Sequence, residues 1–136
     1  MTDVSLVLQK AIRTRLAASA DVITLVPVGN IFDRHDRPER FPSIILGEGQ
    51  MVREDLTLAD NHVRLYQTIH VWTRDGDLVS ARAIAGAIGA ALRGRFFGEA
   101  TAVVARYRDA RFLRDPDGVT GHGVITFEAL VEEFAA

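Results

Sequence analysis

Four histidines, His35, His62, His70 and His122, are the residues best able to exchange protons or hold a metal near neutral pH. No two of them share HExxH or His-x-His spacing, which would set two imidazoles on one helix turn or one strand face. His70 falls on the polar face of a predicted strand beside Trp72, and His122 opens another. The two imidazoles can meet only if those strands are neighbours. Two histidines without a carboxylate cluster make a poor metal site, so structural or surface roles are expected, with no metal and no cofactor. His35, Asp36 and Glu39 have the types for acid–base work but sit in a charged run with Pro38. Such a run is read as a solvated loop, where unperturbed groups are weak catalysts.

The other candidates fail on spacing. Asp115, Asp117 and Gly118 resemble a fragment of a calcium loop without its bidentate glutamate, and a turn is the plainer reading. Gly47-x-Gly49 lacks the third glycine and the following helix of a dinucleotide site. Ser5, Ser19, Ser43 and Ser80 have no nucleophile-elbow flanks. Cysteine is absent, which removes disulfides, thiolate catalysis and thiolate-bound metals. No catalytic residue is assigned, and the chain is read as a non-enzyme.

Arg106, Arg108, Arg111 and Arg114 form the best candidate for a nucleic-acid surface. Alternation turns Tyr107 to the other face, and Asp109 and Asp115 dilute the charge. With a net charge of −2 there is no bulk attraction to a polyanion, so a solvated face or a subunit contact is favoured. Lys10 is the sole lysine and the other cations are arginines. Arginine suits bidentate contacts at interfaces, although a GC-rich coding bias produces the same skew.

The elements that must position these residues follow from periodicity. Val4, Val7, Leu8, Ala11, Ile12 and Leu16 recur at helical spacing, with Thr2 or Asp3 as cap and an end near Ser19. Val22 to Val28 is a short apolar stretch broken by Pro27, and 30–33 is a small extended piece. Arg34 to Arg40 is an exposed loop. Phe41-Pro42 opens a strand, and Gly47-Glu48-Gly49 lets it bend or bulge. Arg53 to Asn61 is a polar loop or hairpin tip. His62 to Arg74 alternates, with Val63, Leu65, Ile69 and Val71 on one side and Arg64, Tyr66, Thr68, His70, Trp72 and Arg74 on the other. Asp77 caps a second helix from about Leu78 to Arg93, whose buried stripe is Ala81, Ile84, Ala85, Ile88 and Leu92. Gly86 and Gly89 predict close backbone packing there, and Gly94 ends the helix. Thr101 to Leu113 and His122 to Glu133 are two further strands, the first slipping near Asp109-Ala110, with the turn 115–118 between them.

The resulting expectation is a single α+β domain over 1–136: two layers, a mostly antiparallel sheet of about four to five strands packed against two helices. At 136 residues with 48% hydrophobic content it can bury a real core. No secretion signal and no run near 20 apolar residues is seen, so no membrane span is expected, and the absence of cysteine fits folding in a reducing cytoplasm. Long strands and exposed edges suit an assembly better than a monomer. Arg34, Asp36, Arg37 and Arg40, then Arg53, Glu54, Asp55 and Asn61, then Arg106 and Arg108 are the candidate partner or inter-subunit contacts.

The order and spacing of several short motifs then carry a family resemblance over nearly the whole chain. They are the N-terminal helix, Asn30-Ile31-Phe32-Asp33, Phe41-Pro42-Ser43-Ile44-Ile45-Leu46-Gly47-Glu48-Gly49, His70-Val71-Trp72-Thr73-Arg74, the alanine-rich helix 83–92, and 115–123 leading into Val124-Ile125-Thr126-Phe127. With these the chain resembles the tail terminator or tail completion proteins of long-tailed phages, of the kind found in bacterial gene transfer agents. The resemblance implies a homo-hexameric ring that caps the tail tube and halts its polymerisation. Its other face would meet the stopper or connector, and DNA would pass through the lumen without sequence-specific binding. Another ring of the head–tail junction, a stopper or head-completion protein, and a small non-catalytic binding module are the alternatives.

Overall fold

Asp3 accepts the backbone N–H of Ser5 at 2.8 Å and so caps α1, Val4–Ala18, satisfying a donor that the first helical turn leaves unpaired. This geometry comes from a computed structural model that describes residues 3–33, 38–54, 62–76, 78–93 and 101–132, with the side chains of 101–104 left aside. Val4, Leu8, Ile12 and Leu16 recur every fourth residue and form the buried stripe of α1. Ser19 ends α1, its N–H bonding the Leu16 carbonyl, and its hydroxyl accepts the N–H of Val22 at 3.3 Å to start α2, Ala20–Leu25. The apolar stretch before Pro27 is therefore a short helix. Its β-branched Val22, Ile23 and Thr24 are weak helix formers; the Ser19 cap and burial of Val22 and Val26 outweigh that. A single 3-10 turn, Val28–Asn30, leads into the sheet.

Among the described residues there are five strands: β1, Ile31–Asp33; β2, Ser43–Glu54; β3, His62–Arg74; β4, Thr101–Arg114; and β5, Thr120–Glu132. Their order in space is β1-β2-β3-β5-β4. Only β1 and β2 run parallel, through Ile31–Asp33 against Ile44–Leu46; every other pair is antiparallel. The third helix, α3, Val79–Ala91, lies between β3 and β4 in sequence. The expected α+β sheet is thus present, mostly antiparallel, with three α-helices among the described residues where two were expected. β2 runs on to Glu54, so Arg53 and Glu54 belong to a strand and not to a loop.

One face of the sheet meets the helices. Ile44, Leu46, Val63, Leu65, Ile69, Val71, Ile125, Phe127, Ala129 and Val131 pack there against the stripes of α1 and α3, including Ala81, Ile84, Ala85 and Ile88. The bulge predicted at 47–49 interrupts the β2–β3 register between Leu46 and Gly49. Gln67 explains how the core tolerates it. This buried amide occupies a core-facing position, and its nitrogen reaches the carbonyls of Gly47 at 3.1 Å, Glu48 at 3.4 Å and Thr68 at 3.1 Å. A bulge leaves carbonyls outside the strand ladder, and burial makes an unpaired one costly.

In β4 the predicted slip is a register shift between Tyr107 and Asp109, and a second lies between Ala102 and Val104. The packing predicted for the two helix glycines divides. A Cβ at Gly89 would stand 3.4 Å from the Tyr107 ring, whereas one at Gly86 would meet nothing within 4 Å. Asp77 and Gly94 lie outside the described residues, and Leu78, at the N-cap of α3, makes no side-chain cap bond.

Candidate functional site

The face of the sheet that the helices do not cover carries the polar residues of four adjacent strands. Glu128 on β5 is at its centre. It accepts Arg64 Nη1 of β3 at 2.6 Å on one oxygen and Arg106 of β4 at 3.3 Å on the other. Arg64 Nε in turn donates to Glu54 of β2 at 2.8 Å. The result is an ion chain, Glu54–Arg64–Glu128–Arg106, that ties β2, β3, β5 and β4 side by side. Burial alone would raise the Glu128 carboxyl, but the bonds from Arg64 and Arg106 outweigh it and hold the group below the usual glutamate range. The same bonding, led by Glu54 and then Glu128, raises Arg64 further.

A second cluster lies along the same face. His70 Nδ1 and His122 Nε2 are 2.8 Å apart, and His70 Nε2 is 3.2 Å from the Glu48 carboxylate. The Trp72 ring stacks on His122 at 3.8 Å between centroids and 8° between planes. β3 and β5 are neighbours, with Trp72 in register with His122, and that adjacency brings the two histidines together. Gly47 makes the room: a Cβ there would fall 2.7 Å from His70 Cδ2. Glu48 meets one nitrogen of His70 and His122 meets the other, so the three form a line and do not converge on one point. Among the described residues no group of three histidines or carboxylates is arranged to hold a metal. His35 lies outside the described residues.

Between the clusters runs an open groove of 490 Å³, bordered by Glu48, Gln50, Val52, Tyr66, Thr68 and Arg108. The Arg108 guanidinium lies 5.5 Å from the centre of the Tyr66 ring. Asp115 and Asp117 spend their geometry on the β4–β5 turn, where Asp117 accepts the N–H groups of Val119 and Thr120 at 2.9 and 2.8 Å.

The predicted contact residues separate accordingly. Arg34, Asp36, Arg37, Asp55 and Asn61 lie outside the described residues. Arg40 reaches the Gly29 carbonyl at 3.2 Å and lies over Phe32, so it braces its own loop. Glu54 and Arg106 are the two ends of the ion chain. Arg53 is exposed on β2. Arg108 is half exposed, 3.8 Å from Asp109. The bulge in β4 also breaks the predicted basic face. Arg111 is in register with Val124 and stays with Arg106, Arg114 pairs with Gly121 on the helix side, and Asp109 faces outward opposite Thr126. Sequence reading placed Arg64 on the correct face but missed its link to Glu128, since the register between strands 64 residues apart is not written in either strand alone.

The arrangement contains paired charges, stacked rings and long strands, and nothing among the described residues converges on a reacting atom. The model of the family described as tail completion protein gp17 matches residues 10–132. The chain belongs to that family. It is therefore a structural protein of phage tail completion. Solved structures share its fold, two of them with TM-scores above 0.6. One is a chain in the virion of a native gene transfer agent particle, 22% identical, with a TM-score of 0.78, covering 92% of this chain and 94% of that one. The other is the gp17 protein of bacteriophage SPP1, 20% identical, with a TM-score of 0.62, covering 98% of this chain and 94% of that one. None of the curated proteins matches in sequence.

Proposed function

We propose that the chain forms a hexameric ring at the head-proximal end of a phage-like tail, where it caps the tail tube, ends its polymerisation and joins it to the stopper or connector. The observation that carries this reading is the family match over residues 10–132. The fold likeness to a chain of a gene transfer agent virion supports it. Four of the strands have 12 to 14 residues, and among the described residues the helices lie on one face, a shape that offers edges and a second face to neighbours. Six copies convert a modest protomer contact into a stable platform. Termination follows if one ring face matches the tube protein and the other does not.

The chain acts by assembly and not by turnover, and it assembles in the bacterial cytoplasm as part of the particle. DNA crosses the lumen without sequence readout. The charged segments 34–40 and 53–61 supply axial or neighbour contacts, where charge sets docking specificity more than affinity. The test is polymerisation of the cognate tube protein with and without this chain, measured by negative-stain microscopy. Short tubes with one closed end are expected. Tubes of unchanged length with no added density at either end would overturn the proposal.

A further inference from the structure

The sheet ends in two different edges. On one side, β1 covers β2 only as far as Leu46, and among the described residues no strand pairs with the outer side of β2 from Gly49 to Arg53. Gln50, Met51, Val52 and Arg53 are all exposed. On the other side, the outer edge of β4 is unpaired along its length among the described residues. Such edges invite pairing with another chain. β2, β3, β5 and β4 reverse direction at each step, so β2 and β4 of one copy are antiparallel. Copies related by rotation about an axis along the strands would therefore set β4 of one against β2 of the next in the antiparallel sense. Two unlike edges joined head to tail make a heterologous contact, the kind that closes into a ring.

The two edges also match in chemistry, face by face. Met51 is in register with buried Leu65, so it lies on the helix side, and it is 48% exposed. On the helix side of β4, an open groove of 480 Å³ runs between that strand and α3, lined by Gly86, Gly89, Ala90, Ala105 and Tyr107. On the opposite face, β2 presents Glu48, 67% exposed, and β4 presents Arg106 and Arg108, 63% and 51% exposed. An antiparallel register that sets Met51 across from Ala105 sets Gln50 across from Arg106 and Glu48 across from Arg108, and the pairing ends there, because β1 already holds the edge of β2 at Ile44–Leu46. We propose that a second copy of this chain adds its β2 edge to β4 in this register, with Met51 seated in the α3–β4 groove and Glu48 facing Arg108. The inference rests on the ring reading and names the surface through which the copies meet.

The absence of native cysteine allows a direct test on the full chain. A Met51→Cys/Gly86→Cys double variant, treated with a short bis-maleimide at concentrations where rings are seen, should give a ladder of covalent multimers up to the ring size. Each single variant should give no product beyond a dimer. A second variant, Gly86→Leu, places a branched side chain at the groove lining, where the added Cβ itself meets nothing within 4 Å. It should keep or raise the melting temperature and lower the ring-forming affinity about tenfold or more. Rings of normal native mass with no ladder, and unimpaired in Gly86→Leu, would overturn this surface while leaving the ring reading intact. A native mass of one or two copies under all conditions, with no ladder, would overturn both.

Discussion

Replacing Glu128 with glutamine tests the ion chain where it is most buried. The carboxylate is 6% exposed and bonds two guanidinium groups, one 25% exposed and the other 63%. A hydrogen bond to a charged group contributes about 1.5–3 kcal/mol. The Arg106 share is under about 1 kcal/mol, because that side chain is largely in water. Arg64 keeps Glu54 after the change, so no arginine is stranded and the larger penalty of an uncompensated buried charge does not apply. The expected loss is about 2 kcal/mol, a fall of roughly 8 °C in Tm for a domain of this size. Circular dichroism melts at pH 7 measure it.

The pH dependence has a definite sign. The folded carboxyl is held below its usual range, so its contribution is present above the ordinary glutamate pKa and is lost as pH falls through the folded value. The gap between parent and Glu128→Gln should therefore narrow as pH falls below the ordinary glutamate range. A Tm difference under about 2 °C at pH 7, or one that widens in acid, would refute the reasoning.

Three further perturbations probe other parts of the same face and its turn. Gly47→Ala puts a Cβ 2.7 Å from His70 Cδ2, so the imidazole must move; the His70 ring signals should shift in NMR and stability should fall by about 1 kcal/mol. His122→Ala removes the ring stacked on Trp72, the sole tryptophan, and should move its fluorescence emission to longer wavelength. Asp117→Ala removes the acceptor of the Val119 and Thr120 N–H groups and of the Thr120 hydroxyl at 2.6 Å; a loss of about 1–2 kcal/mol in urea unfolding is expected.

The parts legible in the sequence are those that one period determines. The alternation of His62 to Arg74 gave β3 with its bounds and its buried face, and the stripe from Ala81 to Leu92 gave the buried face of α3. The glycines at 47 and 49 and the slip at Asp109 marked two bulges, because each breaks a local pattern. What escaped depends on neighbours distant in sequence. Ala20–Leu25 is helical because Ser19 caps it and the core receives Val22, against the preference of its β-branched residues. The pairing of β3 with β5 and not with β4 set the His70–His122 contact and the Arg64–Glu128 bond, and neither strand alone specifies that choice. Charge and expected exposure alone mark the candidate contacts in the sequence. Charge did not distinguish Arg106, held by Glu128, from side chains with donors turned outward.

Electron microscopy of particles made with and without this chain tests the central claim most directly. Tail completion by a capping ring predicts that particles lacking it show overlong tubes or tails detached from full heads, and that the plasmid-borne chain restores joined particles. Normal-length tails joined to heads in its absence would contradict the account.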